Sequence, residues 1–270
     1  MPELPELTVY ALNLRPRVAG KIIADVDPHH PRVFRRIAPE DFAVRVKGCA
    51  IKDVVRRGKS LGFPLDSGDR IDVHLMLAGE MYYAPREARM APPEPCLTLT
   101  FQDGSRLTFS DPHYNIHRPQ EPKLWVGINL KERLGLDPLD PAFTPDALAS
   151  LCRKHKLLPI KALLMDQKLI GGLGNAYVDE LLWMAGVKPR RVASLMTPEE
   201  VTAVHRAVGE LMDEALGRTR KGLAGEIRGE VRDYFRVHHR GGKACPRCGA
   251  RIAHEYLRDR TTNWCPTCQV

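Results

Sequence analysis

Hydrophobic residues near the start of the chain recur at helical spacing. Leu4, Leu7, Ala11, Leu14 and Val18 fall on one face and Gly20 follows the last turn, so the pattern predicts a helix over 4–18. From position 21 to 109 the period shortens. Apolar runs at 22–26, 50–55, 70–77, 97–101 and 106–109 are separated by turn residues, notably Ser67-Gly68-Asp69 and Gln102-Asp103-Gly104. These runs predict strands, and an antiparallel sandwich preceded by a helix is the architecture that buries them. Positions 110–143 are rich in Pro and Asp and read as loop and linker.

Helical spacing then returns. Thr144-Pro145-Asp146 offers an N-cap and an N1 proline ahead of Leu148, Leu151 and Cys152. Thr197-Pro198-Glu199-Glu200 is a capping box opening a helix with Val201, Val204, Val208, Leu211, Met212 and Ala215 on one face. Between them, 160–169 and 176–185 read as two helices joined by Gly171-Gly172-Leu173-Gly174. Positions 217–243 are polar, basic and glycine-rich. The expected class is a multi-domain α+β protein. Its parts are a β-sandwich domain over 1–118, a linker over 119–143, a helical domain over 144–222, and a connecting loop with a cysteine module over 223–270.

Charge narrows the partner. The net charge is +8 at 43% hydrophobic content, so the balance is globular with a basic excess that favours a polyanion such as nucleic acid. A solvated basic face is the competing reading. No apolar run approaches the roughly 18–20 residues of a membrane span, and no basic stretch leads into an apolar core at the N-terminus. A soluble intracellular protein is expected.

Of seven cysteines, Cys49, Cys96 and Cys152 are scattered and read as small buried apolar groups. Cys245, Cys248, Cys265 and Cys268 form two CxxC pairs separated by 16 residues. Two such knuckles predict one tetrahedral Zn²⁺ held by four thiolates, with a β-hairpin between the pairs. Four thiolates close the site, so this zinc is architectural. His238, His239 and His254 are expected at the surface. Arg251, Arg258 and Arg260 on the hairpin are candidates for phosphate, with solvated arginines as the alternative.

The start Met1-Pro2-Glu3-Leu4-Pro5-Glu6 carries a chemical option. With the initiator methionine removed, Pro2 presents a secondary amine able to attack a sugar C1′ and form an iminium ion. An α-amine of pKa near 7.7–8.0 is partly unprotonated at neutral pH, as amine nucleophiles require. With Met1 retained, the Pro2 nitrogen is a tertiary amide and the option is closed.

Four motifs in order settle the resemblance: the opening Pro2–Glu6, Arg56-Arg57-Gly58-Lys59-Ser60-Leu61, Met165-Asp166-Gln167 leading to Gly172-Leu173-Gly174-Asn175-Ala176-Tyr177, and the terminal cysteine finger. Together they resemble the Fpg/Nei family of bifunctional DNA glycosylases over essentially the whole chain. The resemblance implies a helix–two-turn–helix domain over 144–222 and the zinc finger. It also implies double-stranded or damaged DNA as partner, in a cleft between two lobes, and a monomeric cytoplasmic protein associated with the nucleoid. It assigns Pro2 as Schiff-base nucleophile and Glu3 as proton donor and acceptor. Lys59 holds phosphate and assists β-elimination, His74 and Asn175 hold phosphate, and Arg260 grips phosphate at the lesion, with a link to δ-elimination. Glu6 supports. Each has a plainer structural reading: Glu3 and Glu6 favour a helix N-terminus, Lys59 ends a strand, Asn175 caps a helix, and His74 is half-buried. A non-enzymatic DNA-binding protein that kept the fold is the alternative function. Intact Pro2, Glu3 and Lys59 argue against it. A zinc-ribbon module of the ribosome or transcription apparatus explains the finger but not the N-terminus.

The sequence also departs from the family. Fpg proteins fill the gap left by a flipped base with a methionine, plus an arginine and a phenylalanine from one loop. Here Leu77 stands at the methionine position, and the loop reads Asp111-Pro112-His113-Tyr114-Asn115-Ile116. His113 and Asn115 replace the arginine and phenylalanine, leaving Tyr114 or Ile116 as substitute wedges. The segment 217–242 is shorter than the loop with which Fpg proteins cap oxidised guanine. Pro95-Cys96 stands where many Fpg sequences place a DNA-contacting histidine. The expected enzyme therefore keeps the sugar chemistry but not the ordinary 8-oxoguanine preference.

Overall fold

In a computed structural model of the chain, residues 1–88, 91–112, 121–131 and 133–270 are described. The chain divides into two compact units, Met1–Glu132 with Thr219–Glu230, and Arg133–Arg218 with Val231–Val270.

The first unit begins with helix α1 (Leu4–Val18), the predicted span. Leu4, Leu7, Leu14 and Val18 are fully buried. Two four-stranded antiparallel sheets follow. One has the order β1 (Ile23–Asp27), β6 (Pro95–Phe101), β7 (Arg106–Ser110), β5 (Glu80–Ala84). The other has the order β2 (Val55–Arg57), β3 (Ser60–Pro64), β4 (Arg70–His74), β8 (Trp125–Ile128). Phe63 of one sheet meets Phe109 of the other edge-to-face at 5.9 Å, so the sheets face each other across a shared apolar core.

Several local expectations change. The run 50–55 is not a strand. Ile51 makes only a bridge to Leu65, and pairing starts at Val55. The strand expected over 70–77 stops at His74, because Met76 adopts a φ of 53° and turns the chain. A short helix α2 (Pro39–Val46) interrupts the strand-rich region, with Glu40 and Asp41 in its first turn and Phe42 and Val46 buried. The stretch read as loop and linker contains β8, whose Val126 and Trp125 pair with Val73 and His74. Cys96 and Cys152 are buried as expected, whereas Cys49 is only partly so.

The second unit carries further helices, the last of which ends in residues of the first unit. α3 (Pro145–Lys154) is capped by the Thr144 hydroxyl, which accepts from the Ala147 amide at 3.1 Å. α4 (Ile160–Met165) and α5 (Asn175–Ala185) flank the glycine turn. Gln167 fastens that turn, donating to the carbonyls of Met165 and Leu173 and accepting from the Gly172 amide. The capping box at α6 forms as predicted. Thr197 N donates to Glu200 at 2.7 Å, and Glu200 N donates to the Thr197 hydroxyl at 3.3 Å. α6 (Pro198–Leu223) runs through Gly217 and so consumes part of the expected polar connection. The cysteine module contains the predicted hairpin, β9 (Ala253–Leu257) with β10 (Arg260–Trp264). No helix among the described residues is long and apolar enough to cross a membrane.

Candidate functional site

In the first unit, Pro2 and Glu3 lead into α1 and are buried, Glu3 at 3% exposure. Glu3 is the N-cap, and its amide donates to Glu6 Oε2 at 2.9 Å within a reciprocal capping box. Glu6 is fully buried. Both acids therefore serve the helix start, as their plainer reading has it, while remaining next to Pro2. The Met1 ammonium pairs with Glu230 at 2.8 Å.

Arg56 joins this helix to the turn that carries Lys59. Its Nε donates to the Thr8 hydroxyl of α1 at 3.0 Å, and Nη1 donates to the Gly58 carbonyl at 3.2 Å. Gly58 adopts a φ of 57°, which a side chain there would strain, so glycine lets the β2–β3 turn present Lys59 tightly.

His74 ends β4. Its Nδ1 accepts from the Met76 amide at 2.9 Å, so in the neutral ring the proton sits on Nε2. Burial, reinforced by the charges of Lys59 and Arg35, pushes the imidazole down to about 4. The ring stacks on Trp125 at 5.3 Å, and the Arg35 guanidinium lies 4.8 Å from the Trp125 ring centroid. Lys59, His74 and Arg35 thus form one cationic neighbourhood in which the histidine itself is uncharged. Sequence reasoning missed Arg35 and Trp125. Arg35 lies in a loop, and Trp125 in a strand hidden by its Pro-rich surroundings.

Just beyond His74, Leu77 is 54% exposed on a turn closed by the Gly79 amide donating to the Leu75 carbonyl at 2.8 Å. A Cβ at Gly79 would lie 2.4 Å from that carbonyl oxygen, so glycine is required for the close approach. His113, Tyr114 and Asn115 lie outside the described residues.

In the second unit, Asn175 opens α5, where helix amides point outward and favour anions. Its Nδ2 donates to the Thr261 hydroxyl at 3.2 Å, and its Oδ1 is buried without a hydrogen-bond partner among the described residues. Arg260, one position before Thr261, is exposed. Beneath them lies a charged network that the sequence did not reveal. Fully buried Asp179 accepts from Lys161 at 2.6 Å, from His238 Nδ1 at 2.8 Å and from Asn263. Lys161 also donates to the Thr261 carbonyl and the Thr262 hydroxyl, both at 2.9 Å. Neighbouring Glu180 accepts from the amides of Arg236, Val237 and His238. His238, expected at the surface, is therefore buried, because Asp179 needs its N–H. His239 and His254 are exposed.

The four finger thiols converge as ligands. Their sulfurs all lie within 4.8 Å of one another, with Cys248–Cys265 at 3.5 Å and Cys245–Cys268 at 3.9 Å. A tetrahedral ion with Zn–S bonds of about 2.3 Å places sulfurs about 3.8 Å apart. One structural zinc fits. A small core of Trp183, Val237, Ile252, Cys245 and Cys265 backs the site, and the Trp183 indole donates to Cys245 Sγ at 3.4 Å.

Comparison with known proteins gives three family matches in chain order. Residues 1–114 match the Formamidopyrimidine-DNA glycosylase N-terminal domain, 134–225 the Formamidopyrimidine-DNA glycosylase H2TH domain, and 242–270 the zinc finger found in FPG and IleRS. The Formamidopyrimidine-DNA glycosylase of Chloroflexus aggregans is 35% identical over 100% of this chain and 99% of its own. That of Thermobifida fusca is 36% identical, covering 100% and 97%. A crystal structure of Lactococcus lactis Fpg bound to DNA with an AP site superposes with a TM-score of 0.85 at 26% identity, covering 99% of each chain. Another, of the same protein with DNA containing an oxidised pyrimidine, gives a TM-score of 0.87 at 27% identity over 99% of each.

Proposed function

Because the chain belongs to the formamidopyrimidine-DNA glycosylase family, we propose that it is a base-excision-repair DNA glycosylase with AP-lyase activity, acting from the Pro2 amine. Once Met1 is removed, the Pro2 nitrogen attacks C1′ of the damaged nucleotide. Glu3 gives its proton to the leaving base, its carboxylate takes the proton released by the Pro2 nitrogen, and that proton passes to the ring oxygen as the C1′–O bond breaks, giving an iminium between Pro2 and C1′. Loss of a C2′ proton then expels the 3′ phosphate, with Lys59 and Arg260 neutralising the phosphates. The zinc finger holds Arg260 in place. The protein acts as a monomer on double-stranded or damaged DNA in the cytoplasm, at the nucleoid.

The observation that carries this reading is the head of α1. Pro2 and Glu3 are buried there, and Arg56 fastens that helix to the Gly58–Lys59 turn beside neutral His74. Borohydride trapping on AP-site DNA tests it, with intact mass confirming Met1 removal. A covalent adduct is expected, and Pro2→Gly or Glu3→Gln is expected to collapse lyase turnover while DNA affinity stays. Absence of an adduct from the processed protein overturns the lyase assignment.

Lesion choice departs from the ordinary 8-oxoguanine enzyme, toward AP sites and open-ring or saturated bases. Leu77 offers an apolar wedge on a tight turn, without the usual partner side chains. The short segment after α6 is also fastened down within the first unit. Arg17 donates to the Gly225 carbonyl at 2.8 Å, Asn13 to Glu226 at 2.7 Å and Tyr10 to Gly229 at 2.5 Å. A segment held this way is a poor mobile cap for oxidised guanine. On a panel of defined lesion oligonucleotides, excision opposite cytosine is expected to be slower for 8-oxoguanine than for the other lesions. Equal or faster 8-oxoguanine excision overturns this part.

A further inference from the structure

The finger hairpin carries an aromatic side chain that the proposed chemistry does not use. Tyr256 is 68% exposed and is the one aromatic among the exposed large hydrophobics of the described residues. Single exposed aliphatics are ordinary on a protein surface. Tyr256 differs in where it stands and in how firmly it is held. Its cross-strand partner is Thr261, so the two side chains share one face of the hairpin about 5 Å apart. Thr261 is the residue whose hydroxyl meets the Asn175 amide.

The hairpin is fixed on both strands. Arg190 forks onto Glu255 at 2.8 and 3.2 Å and donates to the Tyr256 carbonyl at 3.2 Å. Lys161 grips Thr261 and Thr262 on the other strand. Arg190 also neutralises Glu255, the carboxylate beside Tyr256 that would repel a phosphodiester. His254, exposed and two residues back on the same face, meets the Tyr256 ring edge-to-face at 6.0 Å. Arg258 and Asp259 form the turn with φ of 48° and 60°, leaving Arg258 and Arg260 exposed at the hairpin tip.

An exposed phenol ring on a firmly held hairpin, with arginines exposed at its tip, has the makings of a nucleobase-stacking site. Bases inside a duplex have no free face, whereas an unpaired base does. We propose that exposed Tyr256 of the finger hairpin is a stacking platform for an unpaired nucleobase of the strand whose phosphates Asn175 and Arg260 hold. The inference rests on the DNA-binding part of the reading above and not on the Pro2 chemistry. It gives the protein grip on frayed or single-stranded DNA, where the altered gap-filling residues leave it less able to open a stable duplex.

The test uses the full-length zinc-loaded protein and two undamaged probes of equal length, an oligothymidylate and a blunt duplex. Tyr256→Ala is expected to weaken oligothymidylate binding by roughly 5- to 150-fold, the range of one lost base–aromatic stack. Duplex affinity should change by less than about twofold. Tyr256→Phe and Tyr256→Trp should retain single-strand affinity, and wild type should quench a 2-aminopurine in the single strand while Tyr256→Ala does not. Zinc content and melting temperature of each variant report that the finger is folded. Unchanged single-strand affinity in a folded Tyr256→Ala variant overturns the platform. So does an equal loss on both probes, or a Tyr256→Phe loss as large as the alanine loss. Wild-type borohydride trapping is scored separately. A missing adduct counts against the lyase reading alone, and an unaffected Tyr256→Ala counts against the platform alone.

Discussion

At the residue scale, the proposed phosphate contacts divide by charge. Lys59 and Arg260 are cations. Asn175 is neutral, and His74 is held neutral by burial beside Lys59 and Arg35. Only cations release counterions, at about 0.9 in the slope of log affinity against log salt for each phosphate neutralised. Lys59→Ala is therefore expected to reduce the salt slope on AP-site duplex by about 1, and His74→Ala and Asn175→Ala to weaken binding with the slope unchanged. Titrations across a range of potassium chloride check this, and a reduced slope in His74→Ala would mean that the ring binds charged. The depressed pKa also fixes a sign for stability. An unfolded histidine takes up its proton near 6.5, while the folded ring resists it down to about 4. Stability from this group is full above 6.5 and lost as pH falls toward 4, by at most about 3 kcal/mol. Denaturant melts of wild type and His74→Asn between pH 7 and pH 4 should converge as the pH drops. Of these residues, Lys59 was legible through its motif, Asn175 through its motif and its place at a helix start, and His74 only through the family resemblance. Nothing in the sequence around His74 announces the Trp125 and Arg35 that set its charge state.

At the element scale, what was legible is what local chemistry decides. Thr144 and Thr197 cap their helices as their sequences predict, because a hydroxyl two or three residues before free amides needs no distant partner. The finger hairpin likewise follows from ligand spacing. β8 was hidden because its four residues owe their conformation to β4, far away in sequence. The network under Arg260 was hidden for a related reason. Lys161, Asp179 and Glu180 look like ordinary helix-surface charges until the fold buries them together, on α4 and α5. Burying a pair this way is costly, and removing one member strands the other. Lys161→Met is expected to lower unfolding stability by about 3 kcal/mol or more, leaving Asp179 with a buried charge. Adding Asp179→Asn should restore part of the loss, since neither charge then remains. Urea melts of the two single variants and the double close the cycle, and strictly additive losses would show that the pair does not act as a unit.

At the scale of the whole molecule, the +8 charge predicts attraction to DNA without saying where, and the finger decides how much of the grip depends on metal. Residues 242–270 contribute little to this core beyond Ile252 and the buried thiols, which pack on Trp183 and Val237. Zinc binding supplies folding free energy to such a module, so its removal should melt the hairpin. The second unit's helices bury their own apolar faces, and the sandwich has a separate core, so the loss should stay local. Chelation is then expected to leave the helical circular dichroism largely intact while changing the fluorescence of Trp183, whose indole donates to Cys245 and carries Arg247 at 4.1 Å over its ring. Affinity for AP-site DNA should fall with the lost Arg260 contact, and readdition of zinc should restore both signals. If affinity and Trp183 emission survive complete zinc removal, verified by elemental analysis, then the buried Lys161–Asp179 network alone holds Arg260 in place and the metal is dispensable for the grip.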